Sequence, residues 1–334
     1  MSTRDQEGKH FEVVRELRNQ YSASKSAGFG KEDLARIQAR AAEIIPELAA
    51  WRERFPAIAA SRLKPSVTSL LVAWPDATRE QLLLLSKVGL MVFSIDDVAD
   101  GEIGSLPDDA LLRLLDRYIA TTRNPEAVDW VATDEVNTIG AALQDVTRLL
   151  LRAPGAARFM SLWQEHFRRM CSGYQVELKD KRRHQSEGPL PSLDSYLEVG
   201  KWTVGASMVF TGALVVQNPP FEQAQAPLLE RALAEIGLAT RWMNDVRSLE
   251  RERAEGKFNS LGLLMAQGCS EADAEREAVE RSDQHLTTLE DTVRQLPDAL
   301  RTWGRMLVMT GHFSRGVYMK QEFHHAEPKS GDKP

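Results

Sequence analysis

Residues 81–100 read QLLLLSKVGLMVFSIDDVAD, an apolar run that ends in three aspartates. The run follows Pro75-Asp76 and is long enough for one helix, which Gly101 would terminate. Because residues 96 and 100 are four positions apart, their carboxylates share a helix face, and Phe93 lies one turn earlier. The stretch predicts a buried helix that carries carboxylates to the rim of an apolar wall.

Helical periodicity recurs along the rest of the chain, without a series of alternating apolar and polar strands bounded by hairpin turns. We therefore predict an all-α fold. Besides the helix that ends at Gly101, the predicted helices cover residues 31–55 (with a break or kink at Pro46), 107–123, 133–152, 156–183, 192–217, 221–254, 270–294 and 296–322.

The domain organisation follows from the spacing of these helices. No linker long enough to divide two domains interrupts them, and 334 residues suffice for one large core. We expect one domain over residues 31–322. A polar N-terminal segment, residues 1–30, would precede it, and a mobile tail, residues 323–334, would follow it.

Composition excludes several classes of protein. The net charge is −6 and no block of Lys and Arg could follow a nucleic-acid backbone, so nucleic acid is not an expected partner. Cys171 and Cys269 stand in no CxxC or Cys/His metal spacing, which fits the reducing cytoplasm. No uninterrupted apolar run approaches the roughly 18 residues that a membrane span needs. These observations predict a cytoplasmic enzyme.

The aspartates at the end of the apolar run need partners. Three like charges so close together repel one another, and their removal from water without a partner would be costly. The cluster is therefore either a solvated helix end or a site for bound cations. The apolar residues that lead directly into it favour the cation site.

A second polar stretch, NDVRSLERE, occupies residues 244–252. Asn244, Ser248 and Glu252 recur every fourth residue and therefore share one helix face. An amide oxygen, a hydroxyl and a carboxylate are hard ligands that suit Mg²⁺, whereas Zn²⁺ would favour His or Cys. Arg251, beside them, could reach a phosphate or pair with Glu250 or Glu252 at the surface.

A glycine-rich apolar segment lies between the two polar stretches. Gly200, Gly205 and Gly212 fall inside the predicted helix 192–217, where each costs about 1 kcal/mol relative to alanine. Two explanations stay open at this point. The glycines could allow close packing of a core helix, or they could break the helix and expose backbone carbonyls to a cavity.

DDVAD, NDVRSLERE and LPSLDSYLEVGKWTVGASMVF (residues 190–210) together resemble the two metal motifs and the broken helix of class I terpene synthases, the bacterial cyclases of prenyl diphosphates. The likeness covers roughly residues 50–325. It implies a single-domain helical bundle around a central apolar cavity, a prenyl diphosphate substrate and three Mg²⁺ ions. It implies no membrane span, and we allow for a homodimer.

The resemblance also implies roles for single residues. The implied metal ligands come from both polar stretches and are Asp96, Asp100, Asn244, Ser248 and Glu252. Asp96, with Asp97 in support, is implied in the ionisation step. Gly205 corresponds to the position whose carbonyl faces the forming cation.

The implied diphosphate contacts are basic residues and one tyrosine. Arg251 stands where the family has a basic contact. Arg315 and Tyr318, in SRGVYMK, lie in the region of the family's Arg-Tyr pair, although two residues separate them here. The family's Arg-Arg pair before the broken helix is Gly200-Lys201 in this chain, so Lys201 is the implied substitute.

The resemblance implies a lyase that ionises a prenyl diphosphate and cyclises the carbocation in an apolar cavity. Phe93, Trp202, Phe210 and Trp303 are candidates for the aromatic wall of that cavity. The altered Gly-Lys pair resembles bacterial diterpene synthases, so we expect geranylgeranyl or a bicyclic copalyl-type diphosphate as the substrate.

Three alternatives stay open. A sesquiterpene synthase would use farnesyl diphosphate. A prenyl chain-elongating enzyme would normally carry a second DDxxD where this chain has NDVRSLERE. A helical interaction protein with an inactive metal site would not turn over a prenyl diphosphate at all.

Overall fold

The computed structural model describes residues 31–318. The predicted segments 1–30 and 323–334 lie outside that range, as do residues 319–322 of the predicted domain. Within it there is no strand, which confirms the all-α prediction. The described α-helices are α1 Lys31–Glu53, α2 Leu63–Ala73, α3 Arg79–Ala99, α4 Asp108–Arg123, α5 Glu135–Leu151, α6 Ala156–Gln185, α7 Leu193–Thr203, α8 Ala206–Gln217, α9 Ala226–Ala254, α10 Ser260–Ala266, α11 Glu271–Arg294 and α12 Arg301–Tyr318.

Helix α3 ends where its sequence predicts but begins at Arg79, three residues after the predicted start near Pro75-Asp76. Thr78 and Gln81 form a capping box, in which Thr78 Oγ1 accepts from Gln81 N at 3.3 Å and Gln81 Oε1 accepts from Thr78 N at 2.8 Å. The helix ends at Ala99, and Gly101 follows with φ of 75°. A positive φ favours glycine, so Gly101 terminates the helix as expected.

Helices α2 and α10 were not predicted, and α9 and α1 differ in detail from expectation. Neither α2 nor α10 is long enough to show a clear helical period. Helix α9 begins at Ala226 rather than at residue 221, with Pro227 in its first turn, where proline is well tolerated. Helix α1 continues through Pro46.

The core is one cluster of buried side chains from most of the helices. Helix α3 packs against α2, α5 and α8, and α9 packs against α7, α11 and α12. Helix α8 is buried on nearly every side, which explains why it is apolar all round. The polar ends of α3 and α9 are thereby brought to the same part of the bundle.

The predicted helix 192–217 is two helices, α7 and α8, separated at Val204 and Gly205. By length and composition alone, the stretch Leu193–Gln217 is apolar enough to cross a membrane, with a mean hydropathy of 1.4. An 18-residue window within it is 67% buried inside the fold, and the core helix of a folded protein passes the same test. Burial in the core accounts for its composition.

Candidate active site

A cavity of about 320 Å³ opens where the ends of α3 and α9 approach α6. Its wall is rich in charge. Among the described residues it is lined by five carboxylates and four cationic side chains, namely Asp96, Asp100, Asp108, Glu177 and Glu252, and Lys181, Arg241, Arg251 and Lys257. Both predicted metal motifs therefore contribute to one cavity.

The first motif presents two of its three aspartates to the cavity. Asp96 is half-buried and Asp100 caps the end of α3. Burial, together with the charges of Asp100 and Asp97, raises the pKa of Asp96 well above its usual value. Lys257 Nζ lies 2.8 Å from Asp100 Oδ2 and balances part of this negative charge.

Asp97 points away from the cavity. Its side chain is buried, and its Oδ1 accepts a hydrogen bond from the Arg62 guanidinium at 2.8 Å. Its backbone carbonyl accepts from Glu102 N and Ile103 N, which closes the turn after α3. The structure therefore gives Asp97 a place in holding the end of α3 and does not bring its carboxylate to the cavity.

The second motif lies along one face of α9, as its spacing predicts. Asn244 and Glu252 line the cavity, whereas the Ser248 hydroxyl is buried and donates to the Asn244 carbonyl at 2.9 Å. Glu252 accepts from Asn259 Nδ2 at 2.8 Å. Burial and then the neighbouring Asp245 raise the pKa of Glu252 to about 7.

Asp245, next to the second motif, joins α9 to the elements behind it. This fully buried carboxylate accepts from the Tyr196 hydroxyl at 2.9 Å and from Ser260 N at 2.9 Å. Its Oδ1 also lies 2.9 Å from Arg241 Nε. Asn259 Nδ2 donates to the Asp245 carbonyl at 2.8 Å and Asn259 caps α10. These contacts hold α9, and with it the second motif, against α7 and α10.

Arg251 reaches the cavity, as expected of a diphosphate contact. Its guanidinium lies 3.3 Å from Glu255 Oε2, and Glu255 also pairs with Lys257 at 2.8 Å. The two cations therefore stand side by side beside the second motif. A guanidinium can hold two anionic oxygens at once, which suits it to a phosphate.

Lys201 does not reach the cavity. Its Nζ lies 2.6 Å from Glu198 Oε2 and 5.0 Å from the centre of the Trp202 ring. The cation found beside Gly200 is Arg241 of α9, which does line the cavity. A Cβ on Gly200 would lie 3.1 Å from Arg241 Cγ and Cδ, so the absence of a side chain at 200 leaves room for this arginine.

A second, smaller cavity of about 130 Å³ adjoins the first and is mostly apolar. Gly205 lines it at the break between α7 and α8, and Tyr318 lines it from α12. Tyr318 also hydrogen-bonds to Asn244, which belongs to the charged cavity. The linings of the two cavities are therefore in contact through these two side chains.

Gly205 is required at the helix break for two reasons. Its φ is 70°, a left-handed conformation that costs a residue with a Cβ about 1–2 kcal/mol. A Cβ at this position would also lie 2.1 Å from Val92 Cγ1 of α3. Of the three glycines in this segment, Gly205 is therefore the one that the break requires.

Gly205→Ala is expected to lower the free energy of unfolding by about 2–4 kcal/mol, since backbone strain and overpacking add together. Urea unfolding followed by circular dichroism measures this effect. Gly262→Ala is the matched control, because nothing lies within 4 Å of its Cβ position and its φ is not positive. A loss below about 1 kcal/mol in Gly205→Ala would contradict the prediction.

The remaining predicted residues are Arg315 and the four candidates for the aromatic wall of the cavity. Arg315 points to α11, where its Nη2 lies 2.8 Å from Asp283, and it lines neither cavity. Of the aromatic candidates, Phe93 and Phe210 line the apolar cavity. Trp202 and Trp303 lie outside that lining; Trp303 Nε1 donates to the Phe210 carbonyl at 2.8 Å.

Comparisons with known proteins agree with this architecture. Residues 87–288 match the model of terpene synthase family 2, C-terminal metal binding. The chain belongs to this family. It is similar to (+)-eremophilene synthase from Sorangium cellulosum (25% identical over 244 residues, 71% of this chain and 66% of that one). It is also similar to (12E)-labda-8(17),12,14-triene synthase from Streptomyces cyslabdanicus (27% over 232 residues, 65% of each).

Solved structures of terpene synthases share the fold. A linalool/nerolidol synthase from Streptomyces clavuligerus, in complex with 2-fluorogeranyl diphosphate, is 18% identical with a TM-score of 0.64 and covers 84% of this chain and 93% of its own. Hedycaryol synthase in complex with nerolidol is 16% identical with a TM-score of 0.61, covering 83% and 93%. The match with the two curated relatives spans about two thirds of their own lengths.

The terpene synthase family model includes metal binding, and the donors of this chain fit a hard divalent cation. Asp96 of α3 and Asp100 at its end line the charged cavity together with Asn244 and Glu252 of α9, and all four offer oxygen ligands. Within residues 31–318, no three His, Cys, Asp or Glu side chains by themselves form a metal-binding group. The candidate oxygen donors come from two helices, and one of them is an amide.

Three functional candidates in this terpene synthase fold were missed by the sequence analysis. Lys257, Arg241 and Lys181 line the charged cavity, yet each lies in an ordinary polar context. Lys257 lies between the second motif and Asn259, and this closeness to the motif is what could have pointed to it. Asn259 is the N-cap of a helix that was not predicted. No signal in the sequence distinguishes Lys181 from other surface lysines on α6.

Proposed function

We propose that this protein is a Mg²⁺-dependent terpene cyclase that ionises a prenyl diphosphate and cyclises the resulting carbocation. One observation carries the proposal. A charged cavity that receives both polar motifs adjoins an apolar cavity at a broken helix. The first suits a diphosphate and its cations, and the second suits a hydrocarbon chain.

The proposed ligands of the metal ions are Asp96, Asp100, Asn244 and Glu252, which line the cavity, with Ser248 beside them on α9. Bound Mg²⁺ ions would supply the electrostatic stabilisation that a departing diphosphate needs. In the same cavity Arg251, Arg241 and Lys257 would bind diphosphate oxygens. Arg241 takes this role in place of Lys201, whose ammonium pairs with Glu198.

The apolar cavity would receive the prenyl chain and exclude water from the carbocation. Phe93 and Phe210 present aromatic surface there, and an aromatic face stabilises a nearby cation by roughly 0.5–2 kcal/mol. Gly205, at the break, gives the backbone close access to the same cavity. Tyr318 stands between the two cavities through its bond to Asn244.

The length of the substrate is the finer part of the proposal. We propose a C20 diphosphate, geranylgeranyl or a bicyclic copalyl type, on the basis of the Gly200-Lys201 pair. Farnesyl diphosphate is the alternative, since the relatives include both sesquiterpene and diterpene synthases. A homodimer and a cytoplasmic location stay predictions.

The proposal is tested by incubating the full chain with C10, C15 and C20 prenyl diphosphates, with and without MgCl₂, and by mass spectrometry of the extracted products. We expect cyclic hydrocarbons or alcohols from the C20 substrate, only when MgCl₂ is present. Turnover of the C15 substrate alone would replace the C20 proposal with the alternative.

Two further experiments distinguish a terpene cyclase from a chain-elongating enzyme and from an inactive interaction protein. Longer prenyl diphosphates formed from an allylic diphosphate and isopentenyl diphosphate would indicate a chain-elongating enzyme. Isothermal titration with inorganic diphosphate should show binding only in the presence of Mg²⁺. No product from any substrate and no Mg²⁺-dependent binding would overturn the proposal.

A further inference from the structure

The Tyr174 hydroxyl, in the wall of the charged cavity, contacts two parts of the candidate site. It lies 3.0 Å from Asp96 Oδ1 on α3 and 2.9 Å from the carbonyl oxygen of Thr203, the last residue of α7. A phenol hydroxyl carries one proton, so it donates fully to one of these acceptors at a time. One hydroxyl therefore connects the first polar motif with the helix break.

The Thr203 carbonyl needs such a donor because of where it lies. The last carbonyls of a helix lack helical partners, and α7 ends at Thr203 because the chain turns at Gly205. Thr203 is only 3% exposed, so its carbonyl is shielded from solvent. An unpaired backbone carbonyl is unfavourable in a buried position. The Tyr174 hydroxyl supplies the missing donor.

Helix α6 is shaped to place Tyr174 at this point. A Cβ on Gly173 would lie 2.4 Å from Thr203 Cγ2, so glycine permits the close approach of α6 to the end of α7. One turn later, Glu177 Oε1 accepts from Thr203 Oγ1 at 2.8 Å. Residues 173, 174 and 177 thus hold Thr203 from one side, and the position of the Tyr174 hydroxyl is fixed.

We infer that Tyr174 is a positioning residue that ties the carboxylate of Asp96 to the break between α7 and α8. The inference rests on the proposed function, in which Asp96 is a metal ligand and the break borders the hydrocarbon cavity. The hydroxyl orients the carboxylate toward the charged cavity. When the Asp96 carboxylate binds another partner, the Tyr174 hydroxyl donates to the Thr203 carbonyl instead.

The test is Tyr174→Phe, which removes one oxygen and keeps the ring and its packing. Isothermal titration of the full chain with MgCl₂ in the presence of inorganic diphosphate measures the metal affinity. We expect the affinity to fall about 10-fold, the lower end of the effect of removing a hydrogen bond to a metal-binding side chain. In the product assay, we also expect altered product ratios because the Thr203 carbonyl loses its donor.

Tyr118→Phe is the matched control. Tyr118 is buried like Tyr174, and its hydroxyl also donates to a backbone carbonyl, that of Val136, at 3.0 Å. Thermal unfolding should show a similar loss of stability in both variants, but Mg²⁺ affinity and product ratios should change only in Tyr174→Phe.

Two outcomes would overturn the inference, and they are distinguishable. If the wild-type chain binds Mg²⁺ with diphosphate and Tyr174→Phe binds it with unchanged or higher affinity, Tyr174 does not position Asp96. If the wild-type chain binds neither and produces no terpene, the proposed function fails and this inference fails with it.

Discussion

Asp96→Ala is expected to abolish the turnover of a prenyl diphosphate, lowering kcat/KM by more than about 10³-fold, or about 4 kcal/mol of activation free energy. The reason is that Asp96 presents a half-buried carboxylate to the cavity beside Asp100, where a bound cation would be held. Asn244→Ala should have the same effect, because Asn244 lines the same cavity from α9. Steady-state assays with MgCl₂ measure both.

The matched control is Asp109→Ala. Asp109 is exposed, pairs with Arg182 at 2.9 Å and lies outside the lining of the cavity, so its loss should leave activity unchanged. The helical circular-dichroism signal should be retained in all three variants. Activity retained in Asp96→Ala or in Asn244→Ala would remove that residue from the proposed metal site.

Asp245→Ala is expected to lower the free energy of unfolding by about 3–5 kcal/mol, which is the usual cost of breaking a buried ion pair by removing one partner. The substitution leaves the Arg241 guanidinium without the carboxylate 2.9 Å away, and it leaves Ser260 N without its acceptor. Urea unfolding at neutral pH, followed by circular dichroism, measures the change.

Glu250→Ala controls for the loss of a carboxylate from the same helix. Glu250 is exposed, and its replacement should change the unfolding free energy by no more than about 0.5 kcal/mol. Should Asp245→Ala fail to fold, Asp245→Asn keeps one acceptor oxygen and should retain part of the stability. An Asp245→Ala chain as stable as wild type would show that the network does not hold α9 in place.

The fold was largely predictable because most helices are long and carry clear apolar periods. The all-α class, the helix that leads into Asp96 and its end at Gly101 are all local properties of the sequence. Helices α2 and α10 were missed because a short apolar segment carries too little periodicity, and their helical state depends on tertiary packing. The break between α7 and α8 requires glycine partly because Val92 of α3 packs against Gly205, a contact that no local pattern in the sequence indicates.

The candidate site was predictable where spacing along a helix determines it. The spacing of Asn244 and Glu252 predicts a shared face on α9, and both line the cavity. Spacing says nothing about partners from distant helices. Arg315 pairs with Asp283 of α11 rather than facing the cavity, and no local pattern indicates that pairing. Lys201 pairs with Glu198, three residues earlier on the same helix, which is a local spacing that the prediction for Lys201 did not take into account.

Arg241 is a cavity residue that was not predicted, for the same reason. Its guanidinium lines the cavity, and the lack of a side chain at Gly200, on a different helix, leaves room for its stem. Gly200 was interpreted as one of three glycines in its segment and as the neighbour of Lys201. The residue that shares space with position 200 comes from α9, and only the packing of α7 on α9 places it there.

The division of the candidate ligand set between α3 and α9 also has a thermodynamic consequence. Asp96 and Asn244 belong to helices that become neighbours across the cavity only in the folded chain. A ligand held by both walls would therefore bind the native state and not the unfolded one. By mass action, such a ligand at 100 times its Kd would add about 2.7 kcal/mol to the stability of the bundle. Occupancy of the site and resistance to unfolding would then rise together.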